Sequence, residues 1–75
     1  MKLKKLVLTG AAGRLGSYLR EPLSKLADEL VSTDIAEDIG TLYDGESYHR
    51  ADLAQYDEIV PLLEGADMVI HFCAI

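Results

Sequence analysis

The residues with the clearest chemical purpose are three glycines in the run Thr9-Gly10-Ala11-Ala12-Gly13-Arg14-Leu15-Gly16. A glycine-rich turn that opens a helix lets backbone come close to a phosphate, and the helix start offers unpaired N–H groups and the positive end of a dipole. In that setting Gly10 permits a sharp turn, Gly13 the close approach of a pyrophosphate, and Gly16 close packing of helix on strand. No Gly-Lys-Ser/Thr follows, so a triphosphate loop with magnesium is not indicated. The alternative is a strand-to-helix turn whose glycines serve packing alone. The second chemical group is Asp34, 18 residues beyond Gly16 (34 − 16 = 18). An acid at that distance, closing the next strand, accepts hydrogen bonds from the adenosine ribose hydroxyls of a dinucleotide. It would also repel a 2′-phosphate, and the following Ile35, Ala36, Glu37 and Asp38 include no arginine to receive one, so NAD is favoured over NADP.

Elements must hold these groups in place. Residues 4–9 form a short aliphatic run ending in Thr-Gly, which reads as a buried strand. Leu15, Leu19, Leu23 and Leu26 then recur at helical spacing as one apolar stripe, with Pro22 predicting a kink or an early end. Residues 29–34 read as a second strand emptying into a polar loop over 36–45, punctuated by Gly40 and Gly45. Residues 48–50 suggest a brief third strand. Tyr56, Ile59, Val60 and Leu63 mark a second helix, distorted at Pro61 and stopped by Gly65 in a left-handed conformation. Residues 68–72 complete the series as a fourth strand. Strands that are apolar on both faces and alternate with helices imply a parallel sheet covered on both sides. The fold class predicted is α/β, the amino-terminal portion of a Rossmann-type doubly wound sheet.

Composition narrows the functions available. The chain has 75 residues, of which 49% are hydrophobic, and it is short for a complete catalytic domain. Formal net charge is −6, with the basic residues Lys2, Lys4, Lys5, Arg14 and Arg20 gathered at the start, which argues against a nucleic-acid surface. The apolar run after Lys5 is cut off by Thr9-Gly10, well short of the about 7–15 residues of an export signal or the about 20 of a membrane span. The expectation is a soluble cytoplasmic protein with no membrane partner. Cys73 stands alone, and with His49 and His71 it leaves almost no ligands for a metal. His71 reads as a structural residue at a strand end rather than a proton shuttle. Cys73 reads as a packing residue rather than a nucleophile, since no base is identifiable beside it.

Together Gly10-x-x-Gly13-x-x-Gly16, Asp34, Asp52-Leu53 and Val69-Ile70-His71-Phe72-Cys73-Ala74 resemble the extended short-chain dehydrogenase/reductase family, the NAD-dependent epimerase/dehydratase group. The resemblance covers essentially the whole chain. Asp52-Leu53-Ala54 and Gly65-Ala66-Asp67 before an Ile-His strand make it most similar to the branch that oxidises hexuronic acids. The resemblance implies that Gly10, Gly13, Arg14, Leu15 and Gly16 surround the pyrophosphate of NAD, largely through backbone amides. It implies that Asp34 holds the adenosine ribose, that Asp52 and Leu53 read the adenine edge, and that Cys73, Ala74 and Ile75 line the far side of the cofactor. The family more often has a small residue where Cys73 stands.

The activity so implied is NAD-dependent oxidation of glucuronate or galacturonate at C1 to an aldarolactone, by a homo-oligomer in the full-length protein. Two rivals share this cofactor half: a sugar-nucleotide epimerase or dehydratase, and a catalytically silent NAD-sensing regulator. The family's Tyr-x-x-x-Lys is expected downstream of Ile75, because none of Tyr18, Tyr43, Tyr48 or Tyr56 has a lysine four places later. The chain is thus expected to be the amino-terminal part of an NAD-binding domain, without the rest of that domain or the substrate region.

Overall fold

The computed structural model describes residues 3–52 and 54–72. Strand β1 (Leu3–Thr9) runs into helix α1 (Arg14–Ser24), followed by β2 (Ala27–Asp34), β3 (Glu46–Arg50), α2 (Tyr56–Leu63) and β4 (Met68–His71). All pairings are parallel, in the order β3-β2-β1-β4. Thr9 lies level with Thr33 on one side and His71 on the other, and Asp34 lies level with Arg50. The carboxyl ends of all four strands therefore meet along one rim. The β1-to-β2 connection moves one way across the sheet and the β3-to-β4 connection the other. Right-handed crossovers then put the two helices on opposite faces, with the switch of direction beside β1.

Leu6, Val7 and Leu8 are all fully buried, so both faces of β1 are covered, as the aliphatic run predicts. Leu6, Leu8, Ala11, Leu23, Ala27 and Leu30 form the main cluster, against which Leu19 and Ile39 pack. Strand β2 starts two residues before its expected beginning because Ala27, itself buried, pairs with Leu3. Cover fails at β4, where Met68 and Val69 are each 46% exposed.

The apolar stripe of α1 differs from expectation. Leu23 is buried and Leu19 half-buried, but Leu15 is 63% exposed and Leu26, beyond the end of the helix, is 54% exposed. Gly16 and Arg20 take the inward positions instead. The helix ends at Ser24, two residues after Pro22, as expected. In α2 only Ile59 is buried, whereas Tyr56, Val60 and Leu63 face outward. Gly65 stops that region at φ 74°, in the left-handed region.

Strand β3 begins at Glu46 rather than Tyr48 because the Glu46 carboxylate is drawn inside by Arg20. Arg20 Nε and Nη2 donate to the two oxygens of Glu46 at 2.7 and 2.9 Å, and Nη1 and Nη2 also donate to the carbonyls of Ile39 and Thr41. The Ser32 hydroxyl and the Tyr43 amide complete the carboxylate's partners, at 2.5 and 3.0 Å. The Tyr43 ring lies 5.3 Å from the guanidinium carbon. This cluster fixes the helix-free connection over residues 35–45, where a parallel crossover ordinarily carries a helix.

Burial by itself pushes the Glu46 carboxyl upward, but the hydrogen bonds from Arg20, Ser32 and Tyr43 outweigh it and hold the group below the usual glutamate range. A carboxylate depressed in the folded state contributes stability that is complete above its unfolded pKa and is lost as pH falls towards its folded pKa. Thermal melts should accordingly show stability declining once pH drops below about 4.5, and Glu46→Gln should flatten that part of the decline. An unchanged acid limb in Glu46→Gln would contradict the assignment.

Candidate functional site

The turn between β1 and α1 is shaped by its glycines in different ways. Gly10 adopts φ 74°, which a side chain would disfavour. A Cβ on Gly16 would sit 2.1 Å from the Gly10 carbonyl oxygen, so the absence of a side chain is what lets the helix lie on the turn. Gly13 is exposed, has φ −73° and ψ 172°, and its Cβ would meet only the Gly10 oxygen at 3.3 Å. Backbone conformation therefore explains Gly10 and packing explains Gly16, but neither demands much at Gly13, the glycine expected to allow close approach of a ligand.

The amides of the turn divide in the same way. Ala11 donates to the Thr33 carbonyl, Gly13 to the Gly10 carbonyl at 3.1 Å, and Ser17 to the Gly13 carbonyl at 2.8 Å. Those of Arg14, Leu15 and Gly16 have no hydrogen-bond partner among the described residues. They are the orphan donors of a helix start, and Arg14 and Leu15 lie in exposed positions. The Gly13 amide is thus already bonded within the turn, and no side chain fills the space in front of it.

Asp34 joins this turn directly. Its Oδ2 accepts the Ala12 amide at 2.9 Å and its Oδ1 accepts the Ile35 amide at 2.7 Å. A carboxylate has about four lone-pair positions, so both oxygens keep capacity for hydroxyl donors. The arginine missing from the sequence just after Asp34 is supplied across the sheet: Arg50, level with Asp34, donates from Nε to the Ile35 carbonyl at 2.9 Å.

Asp52 lies on the same rim. Its Oδ1 accepts the Ala54 amide at 2.9 Å and its own amide donates to Glu58 Oε1 at 3.0 Å. With Ile35, Arg50, Ala51 and Glu58 it lines an open cavity of about 520 Å³ next to the end of β2. Leu53, Cys73, Ala74 and Ile75, the other residues expected at the cofactor, lie outside the described residues. His71 shares a 2.7 Å hydrogen bond between Nδ1 and the Thr9 hydroxyl, tying β4 to β1 as a structural residue would. A cavity of about 530 Å³ at the opposite end of the strands, around Lys25, Asp28 and Gly45, contains none of these groups. No helix among the described residues is long and apolar enough to cross a membrane.

The residues present fit NAD. An exposed helix start with unpartnered amides, a glycine whose missing side chain leaves room, and a strand-end acid hydrogen-bonded to the same turn suit a diphosphate and its adjoining ribose. Sheet order, crossover pattern and turn define a Rossmann-type α/β fold.

No family model matches the chain. It is 44% identical over 68 residues to the uronate dehydrogenase of Pseudomonas syringae pv. tomato, a match covering 91% of this chain and 25% of that protein. The crystal structure of glucuronic acid dehydrogenase from Chromohalobacter salexigens superposes with a TM-score of 0.87 at 36% identity, over 97% of this chain and 27% of that one. A mutant of uronate dehydrogenase from Agrobacterium tumefaciens, complexed with NAD, gives 0.86 at 32% identity, over 96% and 27%. The chain thus spans about a quarter of the length of the relatives it matches. Over nearly all of its own length it resembles the amino-terminal quarter of uronate and glucuronic acid dehydrogenases.

The glycine turn and Asp34 are readable from spacing and Asp52 from the family resemblance, whereas Tyr48, Arg50 and the Arg20–Glu46 pair carry no such signal. Register puts Arg50 beside Asp34, and spacing along the chain carried no signal of that.

Proposed function

We propose that this chain is the NAD-binding, amino-terminal part of a dehydrogenase that oxidises glucuronate or galacturonate at C1 to an aldarolactone, in the cytoplasm and as a homo-oligomer. The observation carrying the proposal is the 2.9 Å bond between the Ala12 amide and Asp34, which merges the helix start and the strand-end acid into one site. The likeness to uronate dehydrogenases supports this substrate class. NAD, when bound, supplies the acceptor for a hydride from C1 of the sugar. Within this chain Arg14 and Leu15 offer amides to the diphosphate, Gly13 leaves room for it, and Asp34 accepts from the ribose hydroxyls. Asp52 stands at the cavity suited to adenine, with Leu53, Cys73, Ala74 and Ile75 assigned to the remaining cofactor contacts. Removal of the C1 hydroxyl proton falls to a base outside these residues.

The test uses the full-length protein. Asp34→Ala should weaken NAD by about 1.5–3 kcal/mol, the scale of hydrogen bonds to a charged group, and narrow the preference over NADP, since Arg50 stays nearby. Calorimetry showing unchanged affinity for both cofactors would overturn the site. NADH absorbance with uronates against nucleotide sugars tests the substrate class, and turnover of nucleotide sugars alone would overturn it.

A further inference from the structure

The acid assigned to the ribose sits at a strand end followed by loop, where its own segment supplies only the Ile35 amide to hold it. Three successive carbonyls there, those of Asp34, Ile35 and Ala36, all receive hydrogen bonds from β3. The Tyr48 hydroxyl shares its single proton between the Asp34 carbonyl, at 3.1 Å, and the closer Ala36 carbonyl. Arg50 Nε takes the Ile35 carbonyl between them at 2.9 Å. The Ala51 amide also donates to the Asp34 carbonyl, at 2.9 Å. Strand β2 is thereby held for two residues past its last ladder position. Such bracing matters because the Asp34 carboxylate must face the Ala12 amide and a ribose together, and a shift of its backbone would release both.

From this arrangement we infer that Tyr48 and Arg50 are positioning residues for Asp34, setting the acid's orientation through its backbone, with Arg50 also lining the cavity beside Asp52. The inference rests on the proposal that Asp34 binds the ribose. Burial, reinforced by the neighbouring Asp34 charge, raises the Tyr48 hydroxyl pKa above its ordinary value, so the group stays protonated and donating.

A double-mutant cycle in the full-length protein separates positioning from general structural support. Tyr48→Phe should weaken NAD on the order of three- to tenfold, the worth of one ordinary hydrogen bond, and should cause no further weakening in an Asp34→Ala background. If Tyr48→Phe fails to fold, Arg50→Met serves through hydrogen exchange instead, because Arg50 also lines the cavity beside Asp52. Faster exchange of the Ala12 and Ile35 amides is then expected, and unchanged exchange overturns the inference. An equal loss in both backgrounds, or no loss in either, overturns the inference. Hydrogen exchange without cofactor gives a second measure. The Ala12 and Ile35 amides, both bonded to the Asp34 carboxylate, should exchange faster in Tyr48→Phe, and unchanged protection there also overturns it. If Asp34→Ala alone leaves NAD binding intact, the ribose assignment has failed, and the exchange measurement still decides whether Tyr48 orients the acid.

Discussion

Arg20→Met should lower the stability of the protein by about 3–5 kcal/mol, the scale of a buried ion pair broken from one side. The side chains of Arg20 and Glu46 are only 7% and 0% exposed, so water cannot replace the lost partner. Removal of the guanidinium strands the Glu46 carboxylate with the Ser32 hydroxyl and the Tyr43 amide, and leaves the Ile39 and Thr41 carbonyls without their donor. Such a loss is comparable with the whole margin of many domains. Urea unfolding measures it directly, and a change below about 1 kcal/mol would mean that the pair is solvated. Arg20→Met combined with Glu46→Leu should recover much of the deficit, because the cost arises from the unpaired charge rather than from lost attraction.

Gly16→Ala and Gly13→Ala should behave oppositely, and the contrast decides between a binding turn and a packing turn. The methyl group at position 16 would lie 2.1 Å from a backbone oxygen that no rotamer change can move, so α1 must lift from the turn. The expected loss is at or above the upper end of the overpacking range, about 3 kcal/mol. At position 13 the backbone is extended and suits alanine, and the one close contact is 3.3 Å. Stability there should change by less than about 0.5 kcal/mol, while NAD affinity falls because the methyl group occupies the ligand's approach. Thermal melts paired with NAD titration report both quantities. A Gly13→Ala protein that binds NAD normally would favour glycines that serve packing alone.

The parts legible in the sequence are those governed by local rules. The aliphatic run Leu6-Val7-Leu8 marks β1, because a strand covered on both faces has no polar alternation to hide it, while β2 shows only Leu30-Val31 between polar residues. The glycine turn and Asp34 were found through their offsets from those strands. What stayed hidden depends on partners distant along the chain. Arg20 occupies an inward helix position that a charged residue ordinarily avoids, and Glu46, 26 residues away, with the Ile39 and Thr41 carbonyls, makes it tolerable there. Leu15 shares the apolar spacing of the core leucines, but its place in the first turn of α1 leaves it outside. The stripe on α2 shows what that helix can bury, not what lies opposite it, so Tyr56 and Val60 read as inward yet stand exposed. In the sequence Asp67 belongs to the short motif Gly65-Ala66-Asp67. In the fold its carboxylate accepts the Lys4 and Lys5 amides at 2.8 and 3.2 Å, which sets the alignment of β4 on β1.

The two outer strands are unlike each other. Strand β3 ends in exposed His49 and Arg50, with Arg50 turned back onto the β2 end, and charge on a rim strand discourages a newcomer. Strand β4 offers Met68 and Val69 to solvent, and Phe72 just past it is 39% exposed. Growth of this sheet is consequently favoured beside β4 over β3.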